Sequence, residues 1–150
     1  MKKTILYLAI IILASFFLAT CEKQQKKYTI GVSQLVRDPW RDKFVDELHI
    51  GNYNYDNVDL KVMYGDLDTV RQASQIRQMI SEGVDLLIVC PDKIEDLKGA
   101  IGDAMKADIP VIVFGRRPGD VPCTAFFVAD YYDAGHAVGE FICRSLNFHG

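Results

Sequence analysis

Eight residues in this sequence have the side chains to grip a polar, uncharged ring: Ser33, Gln34, Trp40, Arg41, Asp66, Asp92, Arg116 and Asp130. A sugar ring has an apolar face and a rim of hydroxyls. An indole suits the face, while carboxylates, amides and guanidiniums exchange hydrogen bonds with the rim. Each residue also has a plainer reading. Trp40 falls at i, i+4 and i+8 with Phe44 and Leu48, so it also fits the top of a helix's apolar face. Asp92 and Asp68 suit helix caps. Of Arg116 and Arg117, in a Gly/Pro loop, at least one is expected to be merely solvated. From the sequence alone both readings stand.

The elements that must hold these residues alternate. Tyr28–Val32 reads as a β-branched first strand, with Ser33 and Gln34 following it. Asp38 is a good N-cap, and Pro39 sits at the first helical position, where its missing N–H costs nothing. Residues 58–64 (VDLKVMY) alternate as a second strand, with Asp66 and Asp68 after it. A helix is expected over 69–82, with Val70, Ala73, Ile76, Met79 and Ile80 inward and Gly83 as its stop. Residues 84–90 (VDLLIVC) form an almost continuous apolar run, the mark of a parallel strand covered on both faces. Asp92 and Glu95 have capping-box spacing before a helix whose buried face is Ile94, Leu97, Ile101 and Met105. Residues 109–114 and 123–128 read as two more strands, and 133–146 as the last helix. The expected fold is α/β, a doubly wound parallel sheet with short right-handed connections. In such sheets ligands bind in the crevice beyond the carboxyl ends of the strands, where all eight candidates fall.

The start of the chain has the form of an export signal. Met1-Lys2-Lys3 precedes an uncharged, mostly apolar run to Thr20, shorter than the ~20 residues of a membrane-spanning helix. Residues 1–20 are therefore expected to be a signal peptide, and 21–27 a polar tether. Leu18-Ala19-Thr20-Cys21 resembles a lipobox, making Cys21 a candidate for lipidation and the membrane a partner through signal or lipid anchor. Removing Lys2 and Lys3 takes the formal charge from −3 to −5. Nothing forms a basic stripe, so nucleic acid is not an expected partner. Cys90 reads as a small buried hydrophobe, and Cys123 and Cys143 as free, packed thiols; an oxidising compartment would also permit them to pair. His49, His136 and His149 are isolated, and no Cys/His spacing suits zinc. No metal or cofactor is expected.

Enzyme signatures do not occur. The turn after the first strand is Ser33-Gln34-Leu35-Val36, not a glycine-rich dinucleotide loop, and neither a P-loop nor a nucleophile elbow occurs. A phosphoacceptor receiver would need acidic residues where Ser33 and Gln34 stand.

Five segments, TIGVSQ (29–34), DPWR (38–41), SQIRQMISEGVDLLIVCPD (74–92), ADIPVIVFGRR (107–117) and VADYYDAGHAVGEFI (128–142), together resemble the type I periplasmic sugar-binding proteins, related to ribose-binding protein and the effector domains of LacI-type repressors. The sequence is most similar to the periplasmic sensor domains of hybrid two-component regulators. The resemblance implies sugar contacts from Trp40, Arg41, Asp66, Asp92 and Arg116, and matches Asp130 to the acidic member of an Asp-Asn pair whose Asn is here Tyr131. Gly115 stands where the family usually has an aspartate, so one hydroxyl acceptor is absent from the implied set. A carbohydrate-sensing module is the implied function, with substrate delivery to an ABC transporter as the rival.

The family's proteins have two lobes that close on the ligand. Residues 28–128 correspond to the first lobe, and 129–150 to the crossover and first helix of the second. The chain is accordingly expected to be a fragment, binding sugar no better than millimolar, at least ~4 kcal/mol short of a micromolar parent. The face of the last helix bearing Ala137, Val138, Phe141 and Ile142 is then expected to be open to dimerisation or aggregation, and an inactive product is the third reading.

Overall fold

The computed structural model describes residues 26–147. The expected signal peptide, Cys21 and most of the tether lie outside the described residues, as does His149. Five strands, β1 (Tyr28–Gln34), β2 (Val58–Tyr64), β3 (Leu86–Cys90), β4 (Val111–Phe114) and β5 (Ala125–Phe127), form one sheet in the order β2-β1-β3-β4-β5. Every pairing is parallel. Four helices accompany them: α1 (Pro39–Asn52), α2 (Thr69–Ser81), α3 (Lys98–Lys106) and α4 (Tyr131–Ser145). This is the doubly wound α/β fold read from the sequence.

Alternation along β3 explains the two-sided packing. Leu87 and Val89 face a core with Ile76 and Met79 of α2 and Ile101 and Ala104 of α3. Ile88 and Cys90 point the other way, packing with Val32, Phe44 and Leu48 beneath α1. A strand apolar at every position is what two covered faces require. Gly31 serves the first core by having no side chain: a Cβ there would come within 2.8 Å of Leu87 Cδ2 and Met79 Sδ.

Several boundaries differ from the sequence reading. β1 runs two residues further than expected, through Ser33 and Gln34, which pair with Met63 and Tyr64 on one side and Val89 and Cys90 on the other. Both are completely buried. Ser33 is tolerated inside because Gln72, also buried, reaches it: Gln72 Nε2 donates to Ser33 Oγ at 3.1 Å. That contact also fixes the rotation of α2. Its inward face is Gln72, Ile76 and Met79, and Val70, expected inward, is 80 % exposed. Asp68 caps α2, accepting from the N–H groups of Val70 and Arg71 at 2.8 and 3.0 Å. Asp92 caps nothing, because a 3₁₀ turn over Glu95–Leu97 precedes α3 and its flanking residue is Ile94. Asp92 is thereby left free for a partner elsewhere. α4 begins at Tyr131, two residues earlier than expected, because Asp130 caps it through Tyr132 N and Asp133 N at 3.0 and 3.2 Å. No residue of α4 is buried.

Candidate functional site

The register of the sheet brings Tyr64, Gln34, Cys90 and Phe114 into one row across the carboxyl ends of β2, β1, β3 and β4, and α1 starts directly above it. Asp38 sets that start. Its Oδ1 accepts from Arg41 N at 2.8 Å, and its other oxygen pairs with the Arg41 guanidinium. The Arg41 N–H holds the Asp38 carboxyl below its ordinary value, with the guanidinium helping and desolvation opposing. A carboxyl depressed in the folded protein contributes stability that is fully present above its unfolded value near 3.8 and is lost as pH falls through the lower folded value. Asp38→Asn keeps the cap's acceptor but not its charge. The melting-temperature difference between wild type and this variant should therefore be constant at neutral pH and shrink below about pH 4 in thermal melts.

Trp40 stands on an aromatic ledge. Its ring is parallel to that of Phe44 (centroids 6.5 Å apart, 9° between planes) and tilted against Phe114 at 5.9 Å, while Phe44 and Phe114 lie 4.2 Å apart. The indole nonetheless remains 57 % exposed. Both readings of Trp40 are therefore partly realised: the ring packs on Phe44 and Phe114, the Arg41 guanidinium stands 5.9 Å from its centroid, and more than half of its surface stays open. Phe114 was not singled out from the sequence, although its position as the last strand residue before Gly115-Arg116-Arg117 was the available signal.

Around the indole lies a pocket of about 180 Å³ lined by Trp40, Arg41, Cys90, Pro91, Phe114, Gly115, Arg116 and Tyr131. Arg116 closes its polar side: Nε donates to the Asp92 carbonyl at 3.0 Å and Nη2 to Asp92 Oδ1 at 3.2 Å. The pocket continues past Gly115, Arg116 and Tyr131 into a hollow of about 360 Å³ that also includes Arg117, Asp130 and Tyr132. There Arg117 Nη2 stands 3.8 Å from Asp130 Oδ2, beyond hydrogen-bonding distance, so Arg116 is the paired arginine of the loop and Arg117 the largely solvated one. The backbone at Gly115 has φ +84, a left-handed conformation that an aspartate would adopt only with strain.

Of the eight candidates, Trp40, Arg41 and Arg116 line the pocket, Asp92 is joined to it through Arg116, and Asp130 borders the adjoining hollow. Three stand apart. Ser33 and Gln34 are walled inside the sheet, because β1 continues through them. Asp66 lies in a different hollow with Arg37, Tyr64, Arg71 and Gln75, where Arg71 Nη1 pairs with it at 2.6 Å. A left-handed turn at Asp66 and Leu67 (φ 54 and 66) sends it there, held by Gly65 N to Gln34 O at 2.8 Å and Leu67 N to Leu35 O at 3.0 Å.

Cys90 is the nucleophile type on the pocket wall, and burial pushes its thiol up to about 12 despite the nearby Arg41 charge and Gln34 amide, so at neutral pH it is an inert thiol. Cys123 and Cys143 are unpaired, and Cys143 is exposed rather than packed. Among the described residues no three His, Cys, Asp or Glu side chains converge as a metal site would need. None of the described helices is long and apolar enough to cross a membrane. A groove of about 370 Å³ between α1 and the opposite ends of β1 and β2 is lined by Ile30, Leu48, Val58, Leu60 and Ile88 together with Glu47, Gly51, Asn52 and Tyr55, the Asn52 amide being taken up by Val58 O at 2.8 Å.

Residues 36–150 match the family described as "Periplasmic binding protein domain". A protein of Rhizobium meliloti named for rhizopine binding is 32 % identical over 130 residues, which are 81 % of this chain and 41 % of that protein. Among solved structures, the fructose-binding periplasmic domain of a hybrid two-component system superposes with a TM-score of 0.72 at 32 % identity, covering 82 % of this chain and 41 % of that one. An ABC transporter solute-binding protein from Clostridium phytofermentans with bound β-D-glucose gives a TM-score of 0.69 at 26 % identity, covering 80 % and 37 %. The chain thus spans about two-fifths of the length of these relatives.

Proposed function

The chain belongs to the periplasmic binding protein domain family, and from that premise we propose that it binds a small neutral carbohydrate in the Trp40–Arg116 pocket, as an exported sensing module. One observation carries this reading: an indole held half-open on a Phe44–Phe114 ledge, beside a rim made of Arg41, Arg116 and Asp92. The ring's apolar face stacks on Trp40, Arg41 and Arg116 donate to hydroxyl oxygens, and Asp92 accepts from a hydroxyl. Asp92 thereby takes up the acceptor role that Gly115 leaves unfilled. Both guanidiniums are already paired with carboxylates, which favours uncharged ligands over anions. Each guanidinium keeps further N–H donors for a hydroxyl oxygen, but its charge is already balanced by Asp38 or Asp92, so an anion gains little from it.

The sensing role is supported by the likeness, at 32 % identity, to the fructose-binding domain of a hybrid two-component system. Delivery to an ABC transporter is the second reading, favoured by the glucose-bound relative and by the lipobox-like Cys21. In either role α4, whose residues are all open to solvent, is the first helix of a second lobe that packs on its Val138–Phe141–Ile142 face.

Trp40 is the sole tryptophan of the chain, so its fluorescence reports on the pocket directly. Titration with neutral monosaccharides should change its emission saturably, while sugar phosphates and amino acids leave it unchanged. Saturable binding of an anionic ligand in preference to every neutral sugar would refute the assignment.

A further inference from the structure

Three buried polar atoms near the pocket lack a nitrogen or oxygen partner, Nε2 and Oε1 of Gln34 and Nε of Arg41, and the Gln34 amide meets only the weakly bonding Cys90 thiol. Gln34 is completely buried, so both ends of its amide are cut off from solvent as well. A buried amide left unmatched costs about 1–3 kcal/mol, and native interiors resolve such groups with protein partners or enclosed water. Here the orphans are complementary, since Oε1 accepts and Nε–H donates.

They also lie on either side of the same residue. Gln34 is the cross-strand neighbour of Cys90 in the β1–β3 register, and Arg41 shares the pocket wall with Cys90. The Cys90 thiol takes a weak hydrogen bond from the Gln34 side chain and feels the Arg41 charge, so all three are close together and Gln34 Oε1 remains to be matched. One end of the Arg41 guanidinium is fixed by Asp38, and its Nε edge, turned inward, has nothing to hold it.

We propose that Gln34 is the positioning residue for Arg41: its Oε1, through one enclosed water, takes the Arg41 Nε–H and fixes the plane in which the guanidinium faces the pocket. The water gains a donor in Arg41 Nε, an acceptor in Gln34 Oε1 and a further donor in Gln34 Nε2, within the two to four partners such a molecule needs. Gln34 thus acts on the ligand at second hand, never touching it. The consequence for affinity rests on the carbohydrate reading of the pocket; the link between Gln34 and Arg41 does not.

The test uses Gln34→Met, which keeps the shape and removes the amide, and Gln34→Glu, which keeps the acceptor. The Arg41 Nε–H signal is followed by nitrogen-resolved NMR in mildly acidic buffer, with the exposed Arg71 Nε–H as reference. In the wild type Arg41 Nε–H should exchange at least about tenfold more slowly than Arg71, and Gln34→Met should abolish that difference while Gln34→Glu keeps it. Thermal melts check that the variant stays folded: Gln34→Met leaves the buried Arg41 Nε–H without an acceptor, so its melting temperature should fall modestly, and it should remain folded at the temperature of the exchange measurement. Its sugar affinity should nevertheless fall severalfold. Unchanged Arg41 protection in Gln34→Met, or wild-type exchange as fast as Arg71, would overturn the proposal. Should no sugar perturb Trp40 in any variant, the pocket reading fails, and the exchange comparison still decides whether Gln34 positions Arg41.

Discussion

Replacing Trp40 with alanine should lower affinity for the preferred sugar by at least about tenfold, or ~1.4 kcal/mol, while the protein stays folded. The size of the effect follows from how the pocket is built. Its polar groups are already paired, Arg41 with Asp38 and Arg116 with Asp92, so a hydroxyl that enters gains little net hydrogen bonding. The indole, by contrast, is more than half exposed, with the Arg41 guanidinium 5.9 Å from its centroid as a loose partner, and burial of its open surface against the sugar ring is the main gain on binding. Trp40→Phe, which keeps an aromatic face on the Phe44–Phe114 ledge, should recover most of the loss. Since Trp40 is the fluorescent reporter, these affinities are to be read by calorimetry. Equal affinity for wild type and Trp40→Ala would remove the indole from the site.

Leu87→Ala should destabilise the fold by about 2–5 kcal/mol, a large fraction of the stability of a domain this size. Leu87 is fully buried in the middle strand, packed among the residues of α2 and α3 and occupying the space that Gly31 leaves. Truncation leaves a cavity that five paired strands cannot collapse to fill. Val70→Ala supplies the contrast. The sequence pattern assigns Val70 to the same core, yet its side chain lies in solvent, so the change should stay within about 0.5 kcal/mol. Urea denaturation of the two variants measures both; comparable losses would mean that α2 is rotated from the orientation described here.

That contrast also marks where the sequence could be read. The β3 run is apolar on both faces and leaves little choice but a central parallel strand, and Asp38-Pro39 defines the start of α1 by local chemistry alone. Reading Ser33 and Gln34 as ligand contacts that follow the first strand failed because strand length depends on pairing. β1 continues through them only because β2 and β3 extend alongside, and Ser33 is accepted because Gln72, 39 residues away, bonds to it. The same contact turned α2 and sent Val70 outward. Asp92 looked equally suited to a cap or a ligand contact. The choice was made by Arg116, 24 residues on, and by a 3₁₀ turn that no spacing rule anticipates. Asp66 was placed correctly along the chain and wrongly in space, since two successive left-handed residues are not encoded by any glycine. The pocket was thus legible as a set of strand ends, and its membership was decided by long-range pairing.

The central claim, that a neutral sugar sits on Trp40 between Arg41 and Arg116, is tested most directly by NMR titration of the protein with a panel of neutral monosaccharides, following the Trp40 indole N–H, the arginine Nε–H signals and the backbone amides. For at least one sugar, shifts should saturate and concentrate at Trp40, Arg41, Asp92, Gly115 and Arg116, with Asp66 and the Leu48–Leu60 groove unmoved. With Trp40 so open, that affinity should be millimolar. Saturable shifts centred on the groove or on Asp66, or no shift at Trp40 with any sugar in the panel, would contradict the account.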